Sequence, residues 1–121
     1  MSSALFTPIQ IGKLELPNRI IVAPMCQYSA IDGSMTNGHL DHLAHIAMAG
    51  PGLIIIEATG VEPEGRITPG CAGLYSEENE AAMRRVINFC REVGHSRIAI
   101  QLNHAGRKAS SNLPWKGGKS L

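Results

Sequence analysis

Three apolar runs, each closed by a polar or sulfur-bearing stretch, constrain this chain more than any other feature. They are Arg19-Ile20-Ile21-Val22-Ala23 before Pro24-Met25-Cys26-Gln27-Tyr28, Leu53-Ile54-Ile55-Ile56 before Glu57-Ala58-Thr59-Gly60, and Ile98-Ala99-Ile100 before Gln101-Leu102-Asn103-His104. Short continuous runs rich in β-branched residues, separated by helix-length segments, predict parallel strands buried on both faces. Parallel strands joined by crossovers place their C-terminal ends along one edge, where ligands and chemistry collect. The three closing stretches are therefore expected to form one site.

The segments between the runs read as helices. Helix one is expected over His39 to Ala49, with Leu40, Leu43, Ala44, Ala47 and Met48 on one face and Gly50-Pro51-Gly52 as its stop. Ser76 reads as the N-cap of a second helix, with Glu77, Glu78 and Glu80 in its first turn, where acids complement the helix dipole. That helix is expected to reach Val93, with Ala82, Val86, Phe89, Cys90 and Val93 inward and Gly94 as its end. Val61 to Tyr75 forms a long loop, and connections of that length are usually functional. Leu5 to Arg19 alternates around Gly12-Lys13 and predicts a hairpin ahead of the first core strand.

Two strand–helix–strand units imply a right-handed parallel α/β arrangement. An open dinucleotide-binding sheet calls for G-x-G-x-x-G after the first strand, yet that loop holds only Gly33 and Gly38, and no Walker loop is present. A (β/α)8 TIM barrel opened by a capping hairpin is the better expectation. Such a barrel takes about 250 residues, roughly 30 per unit, so 121 residues hold about three units. Residues 1–121 are expected to be the N-terminal segment of one barrel domain, whether as a cloned segment, a proteolytic product or half of a nicked enzyme. The remainder of the barrel, in the same or a second polypeptide, is then a partner.

Composition narrows the partners. A formal charge of +1 gives no electrostatic reason to expect nucleic acid or an anionic membrane. No apolar run approaches the ~20 residues of a membrane span. Cys26, Cys71 and Cys90 form no C-x-x-C, which suits free thiols in a reducing compartment, with cytoplasm as the expectation.

Each candidate site residue has a structural alternative. Cys26 is either a thiol at a cofactor or a small buried hydrophobe. Tyr28 shares its side if extended geometry persists, and is otherwise an amphipathic loop residue. Pro24 and Met25 either pack or leave neighbouring amides free for a ligand. Gln101 offers a donor and an acceptor, as a flat heterocycle edge demands, or is merely a polar strand end. His39, His42 and His45 with Asp41 are read as helix-end contacts rather than a metal site, because their spacing matches no zinc motif. His104 with Arg107 and Lys108, and separately Arg66, fit either anion binding or loop bracing. No G-x-S-x-G is present, so a hydrolase triad is unsupported.

Several stretches, in order, resemble the Old Yellow Enzyme family of FMN-dependent ene-reductases. They are Leu5-Phe6, Leu16-Pro17-Asn18-Arg19-Ile20, Ala23 to Tyr28, Glu57-Ala58-Thr59, Pro63-Glu64-Gly65-Arg66 and His104-Ala105-Gly106-Arg107-Lys108. The resemblance is nearest to the thermophilic-like and xenobiotic reductase branch. It implies FMN as cofactor, NAD(P)H as reductant and an α,β-unsaturated carbonyl or nitro compound as substrate. It also implies that Pro24 and Met25 lie under FMN, that Cys26 tunes the flavin, that Tyr28 enters the substrate pocket and that Gln101 meets the pyrimidine edge. Gly60 would contribute a backbone contact where relatives tend to carry Ala. The family's substrate-binding His pair and proton-donating Tyr come from later strands, and the complete enzyme is expected to be a homo-oligomer. The alternatives are a non-catalytic barrel fragment serving as a folding or association partner, or another FMN barrel similar to the dihydroorotate dehydrogenases.

Overall fold

A computed structural model describes residues 3–121. The chain opens with the expected hairpin, β1 (Ile9–Ile11) against β2 (Leu14–Leu16), with Ile9 opposite Leu16. Gly12 turns it at φ +59°, a left-handed conformation that glycine adopts without steric cost. Leu16 is fully buried, so the hairpin is anchored by one side chain.

Asn18 then ties the first core strand to the end of the first helix. Its Nδ2 donates to Gly50 O at 2.9 Å, and its Oδ1 accepts from the Ile20 amide at 3.1 Å. The core sheet has the order β3 (Ile21–Val22), β4 (Leu53–Gly60), β5 (Arg97–Asn103), with every pair parallel. The first strand is shorter than the Arg19 to Ala23 expected, because only Ile21 and Val22 find ladder partners, in Leu53 and Ile54. The other two are longer. Strand β4 runs beyond Ile56 through Glu57-Ala58-Thr59-Gly60, and β5 carries Gln101, Leu102 and Asn103, since Thr59 pairs with Leu102 and Gly60 with Asn103.

Helix α1 (Asn37–Met48) and helix α2 (Glu77–Val93) pack on each other and on one face of the sheet. Leu43 and Ala47 of α1 meet Met83, Val86 and Cys90 of α2 over Ile54 and Ile56 of β4, with Ile98 and Ile100 at the margin. Each large side chain buried there contributes roughly 1.5–3 kcal/mol. Ser76 caps α2 as expected, its Oγ accepting from the Asn79 amide at 3.1 Å. The inward face of α2 is Asn79, Met83, Val86 and Cys90. Phe89, expected inward, is 37% exposed, and Met83, earlier on the helix, is in the core instead. At Gly94 a Cβ would sit 2.4 Å from Ala47 O, so only glycine lets the end of α2 approach α1 this closely. Among the described residues no helix is long and apolar enough to cross a membrane.

Candidate active site

A β-bulge organises the site. Between Ile56 and Thr59 the register of β4 on β5 slips, so that Glu57 and Ala58 together face the single position of Gln101. Strict alternation would put Glu57 with Ile55, on the face away from the helices. The extra residue frees its carboxylate to reach α1 instead. Glu57 Oε1 lies 3.2 Å from His39 Nε2, and both side chains are essentially buried. Glu57 Oε2 accepts from the Gln27 amide at 3.3 Å. His39 is fixed from its other side, with Nδ1 accepting from the Thr36 amide at 3.1 Å. An Nδ1 that accepts leaves the ring proton on Nε2, toward Glu57, although that contact lacks good hydrogen-bond alignment.

The relay from Thr36 through His39 and Glu57 to Gln27 therefore pins the segment that follows β3. The expectation of helix-end contacts for His39 holds through its cap on Thr36. His45 pairs with Asp41 at 3.3 Å. Glu57 and His39 were not singled out as a pair by the sequence, yet an acid directly after Ile54-Ile55-Ile56 was the signal, because a buried carboxylate requires a partner. Replacing Glu57 with Leu in the complete protein should strand the Gln27 amide and remove the carboxylate beside His39 Nε2, costing about 1–3 kcal/mol. Urea unfolding reads this directly, and an unchanged midpoint would mean that both groups find other partners.

Pro24, Met25 and Cys26 occupy the pinned segment. Among the described residues neither the Met25 nor the Cys26 amide donates to a group of the chain, and Met25 is half exposed. Cys71 and the Ala58 amide of the bulge act in opposite directions on the Cys26 thiol, Cys71 raising it and the amide lowering it. Cys71, in turn, is held by Thr68, whose amide and Oγ1 lie 3.4 Å and 3.3 Å from its Sγ. The neighbouring Cys71 thiol, then burial, push the Cys26 thiol above its ordinary range. The hydrogen bond from Cys26, with help from Thr68, draws Cys71 below its own.

Tyr28 departs from the extended geometry on which its shared side with Cys26 depended. Its φ is +53°, so the chain turns there, and its ring meets Trp115 edge-on with centroids 6.2 Å apart. Burial raises its phenol above the ordinary range. Gln101 lies at an exposed strand position, opposite in alternation to Ile100, which packs on the helix side. Gly60 is more constrained than expected. Its amide donates to Ala72 O and its carbonyl accepts from the Leu74 amide, each at 2.9 Å. Both backbone groups are engaged within the chain, so any contact from Gly60 narrows to its Cα surface.

The two ambiguous basic groups brace loops. Arg66 Nε donates to Pro63 O at 3.0 Å, and its guanidinium sits 3.5 Å from Asp32 and over the Tyr75 ring. His104 Nε2 lies 2.6 Å from Glu62 Oε1, and its ring packs so close to Gly65 that a Cβ there would come within 2.9 Å.

This arrangement has relatives. Residues 4–118 match the family model described as the NADH:flavin oxidoreductase / NADH oxidase family. The chain belongs to this family. An NADH:flavin oxidoreductase of Gibberella zeae is 47% identical over 114 residues, which is 94% of this chain and 27% of that protein. A Bacillus subtilis NADPH dehydrogenase is 45% identical over 111 residues, 90% of this chain and 32% of that protein. The chain thus spans about a third or less of the curated relatives it matches.

Among solved structures, morphinone reductase superposes with a TM-score of 0.80 at 35% identity, covering 88% of this chain and 28% of the other. The Old Yellow Enzyme of a Pichia species gives 0.81 at 29% identity, with the same coverage. The likeness to Old Yellow Enzymes is therefore shown, and β3, β4 and β5 with their helices are an N-terminal part of such a TIM barrel. FMN is the cofactor of this family and a nicotinamide its reductant.

Proposed function

We propose that this NADH:flavin oxidoreductase family chain supplies part of the FMN site of an enzyme that uses NAD(P)H to reduce the C=C bond of α,β-unsaturated carbonyl or nitro compounds. One observation carries the reading. The ends of β3, β4 and β5 bring two unengaged amides, at Met25 and Cys26, to the same sheet edge as the Gln101 carboxamide. A flat heterocycle with an apolar face and an edge of alternating donors and acceptors fits that set. Met25 gives the apolar surface, and Gln101 gives a donor and an acceptor.

When bound, FMN supplies the hydride relay between the nicotinamide and the β-carbon of the conjugated alkene. The chain's own residues bind and orient. Pro24 and Met25 would hold the apolar ring system, Gln101 would pair with its polar edge, and Glu57 with His39 holds the Cys26–Gln27 backbone in register. Tyr28, turned by its positive φ, borders the space where substrate would sit. The remaining strands of the barrel supply the proton donor and the substrate-orienting groups.

The test is spectroscopic. The flavin-loaded protein should bleach on addition of NAD(P)H without oxygen and recover its yellow colour on addition of an enone such as cyclohexenone. A protein that binds FMN but never bleaches would overturn the reading. Cys26→Ala in the complete enzyme should shift the flavin reduction potential and change the rates of both half-reactions, while FMN remains bound. A polarizable group beside a cofactor tunes its electronics, whereas affinity is spread over many contacts. Potentiometry returning the wild-type value would place the sulfur away from the flavin.

A further inference from the structure

The loop that follows β5 has no part in the function proposed above, yet it lies at the same edge of the sheet. Its Leu113 O accepts from the Lys116 and Gly118 amides at 2.8 Å and 3.2 Å, and Gly117 turns at φ +98°. The Asn112 amide donates to Lys119 O and the Leu121 amide to Ser110 O, each at 2.8 Å, so residues 110–121 close on themselves. The Ser111 amide donates to Ile67 O at 2.9 Å and ties this loop to the one after β4. Gly70 of that second loop sits between the other two. A Cβ there would come 2.5 Å from Tyr28 O and 2.7 Å from Leu113 Cδ2. The loops after β3, β4 and β5 therefore converge at Gly70.

Trp115, the only tryptophan of the chain, stands beside that convergence on the short turn Pro114–Lys116. Its ring plane meets that of Tyr28 at 84° with centroids 6.2 Å apart, and it stays 63% exposed. Two aromatic planes at nearly a right angle make a corner with apolar surface on both walls. An indole left mostly in water, on a loop whose own hydrogen bonds are made, is stabilised by a flat apolar group that covers it.

We propose that Trp115 and Tyr28 form an aromatic corner for the apolar body of the substrate, and that Trp115 selects enones and nitroalkenes that carry an aryl ring. The inference rests on the reading above, in which Tyr28 borders the substrate. An aryl group seated in the corner gains apolar burial and ring-on-ring contact, whereas a small alkene leaves the indole in water and gains neither. The corner thus discriminates by size and flatness rather than by charge.

The experiment uses the complete flavin-loaded enzyme and a matched pair of ketones, 4-phenylbut-3-en-2-one and pent-3-en-2-one, which differ by phenyl for methyl. In Trp115→Leu the KM for the phenyl ketone should rise about tenfold, equivalent to 1.4 kcal/mol, while its kcat and the KM for the methyl ketone stay within about twofold. Trp115→Phe, which keeps a ring, should retain most of the preference. Equilibrium dialysis of the saturated 4-phenylbutan-2-one against oxidised enzyme should show the same tenfold loss of affinity in Trp115→Leu. An equal loss for both ketones would make Trp115 a prop for the fold, and unchanged values for both would leave the indole outside the site. Either result overturns the proposal. Enzyme that bleaches with NAD(P)H but recolours with neither ketone would sink the ene-reductase reading instead, and dialysis, which needs no turnover, still decides the corner.

Discussion

Expressed alone, this 121-residue chain should behave as a fluctuating, self-associating species rather than a cooperatively melting monomer. The sheet order leaves β3 and β5 as edges, and β3 contributes only two paired residues. Parallel sheets are stable when both faces are covered, and here the helices α1 and α2 cover one. Ile21 and Leu102 remain 45% and 59% exposed, beside a long unpaired edge of β5. Such an edge is a template for association with other chains. Gel filtration with thermal circular dichroism gives the readout. The expected result is oligomers with a broad, non-cooperative melt, turning into a sharp transition once the remaining barrel strands are supplied. A monomer that melts sharply by itself would show that the three-stranded unit is sufficient.

Gln101→Leu, made in the complete enzyme, should weaken FMN binding about ten- to a hundredfold. On the proposed reading the carboxamide donates to a flavin carbonyl and accepts from the ring N–H. Removing it leaves those groups unpaired at a cost of roughly 1–3 kcal/mol, and each 1.4 kcal/mol is a factor of ten. Gln101→Glu should be worse still, because a carboxylate does not donate and repels the negative charge of reduced flavin. Leu in place of Gln at an exposed strand position opposite the helix core should leave the fold intact, so affinity and stability separate cleanly. Fluorescence titration of apoprotein with FMN decides it. Equal affinity in both variants would make Gln101 a polar strand end and nothing more.

These two expectations draw on features legible to different degrees. Helix α2 was readable almost to the residue, because Ser76, three early glutamates and Gly94 act through local backbone chemistry that needs no tertiary partner. The burial of Phe89 was misjudged, since which side of a broad apolar stripe turns inward is set by the neighbour it packs on, here α1. Gln101 was legible as a site candidate because strand alternation is a short-range rule. The place of Cys71 was not, because nothing in a glycine-rich loop reveals what it will fold back on.

The sequence by itself determined the parallel α/β character, the hairpin, the order of the elements and the edge on which Pro24, Met25, Cys26 and Gln101 gather. Periodicity, caps and glycine stops are encoded within a few residues of where they act. Only the tertiary structure decided the rest. The bulge at Glu57 and Ala58 exists because β4 must match β5 on one side while its carboxylate reaches His39 and Gln27 on the other. The turn at Tyr28, the engaged backbone of Gly60 and the close approach of Gly70 to Tyr28 likewise depend on a loop that folds back on the sheet. Register and long-range contact are set by the sum of packing and hydrogen bonding over the whole unit, and no local stretch of sequence carries that sum.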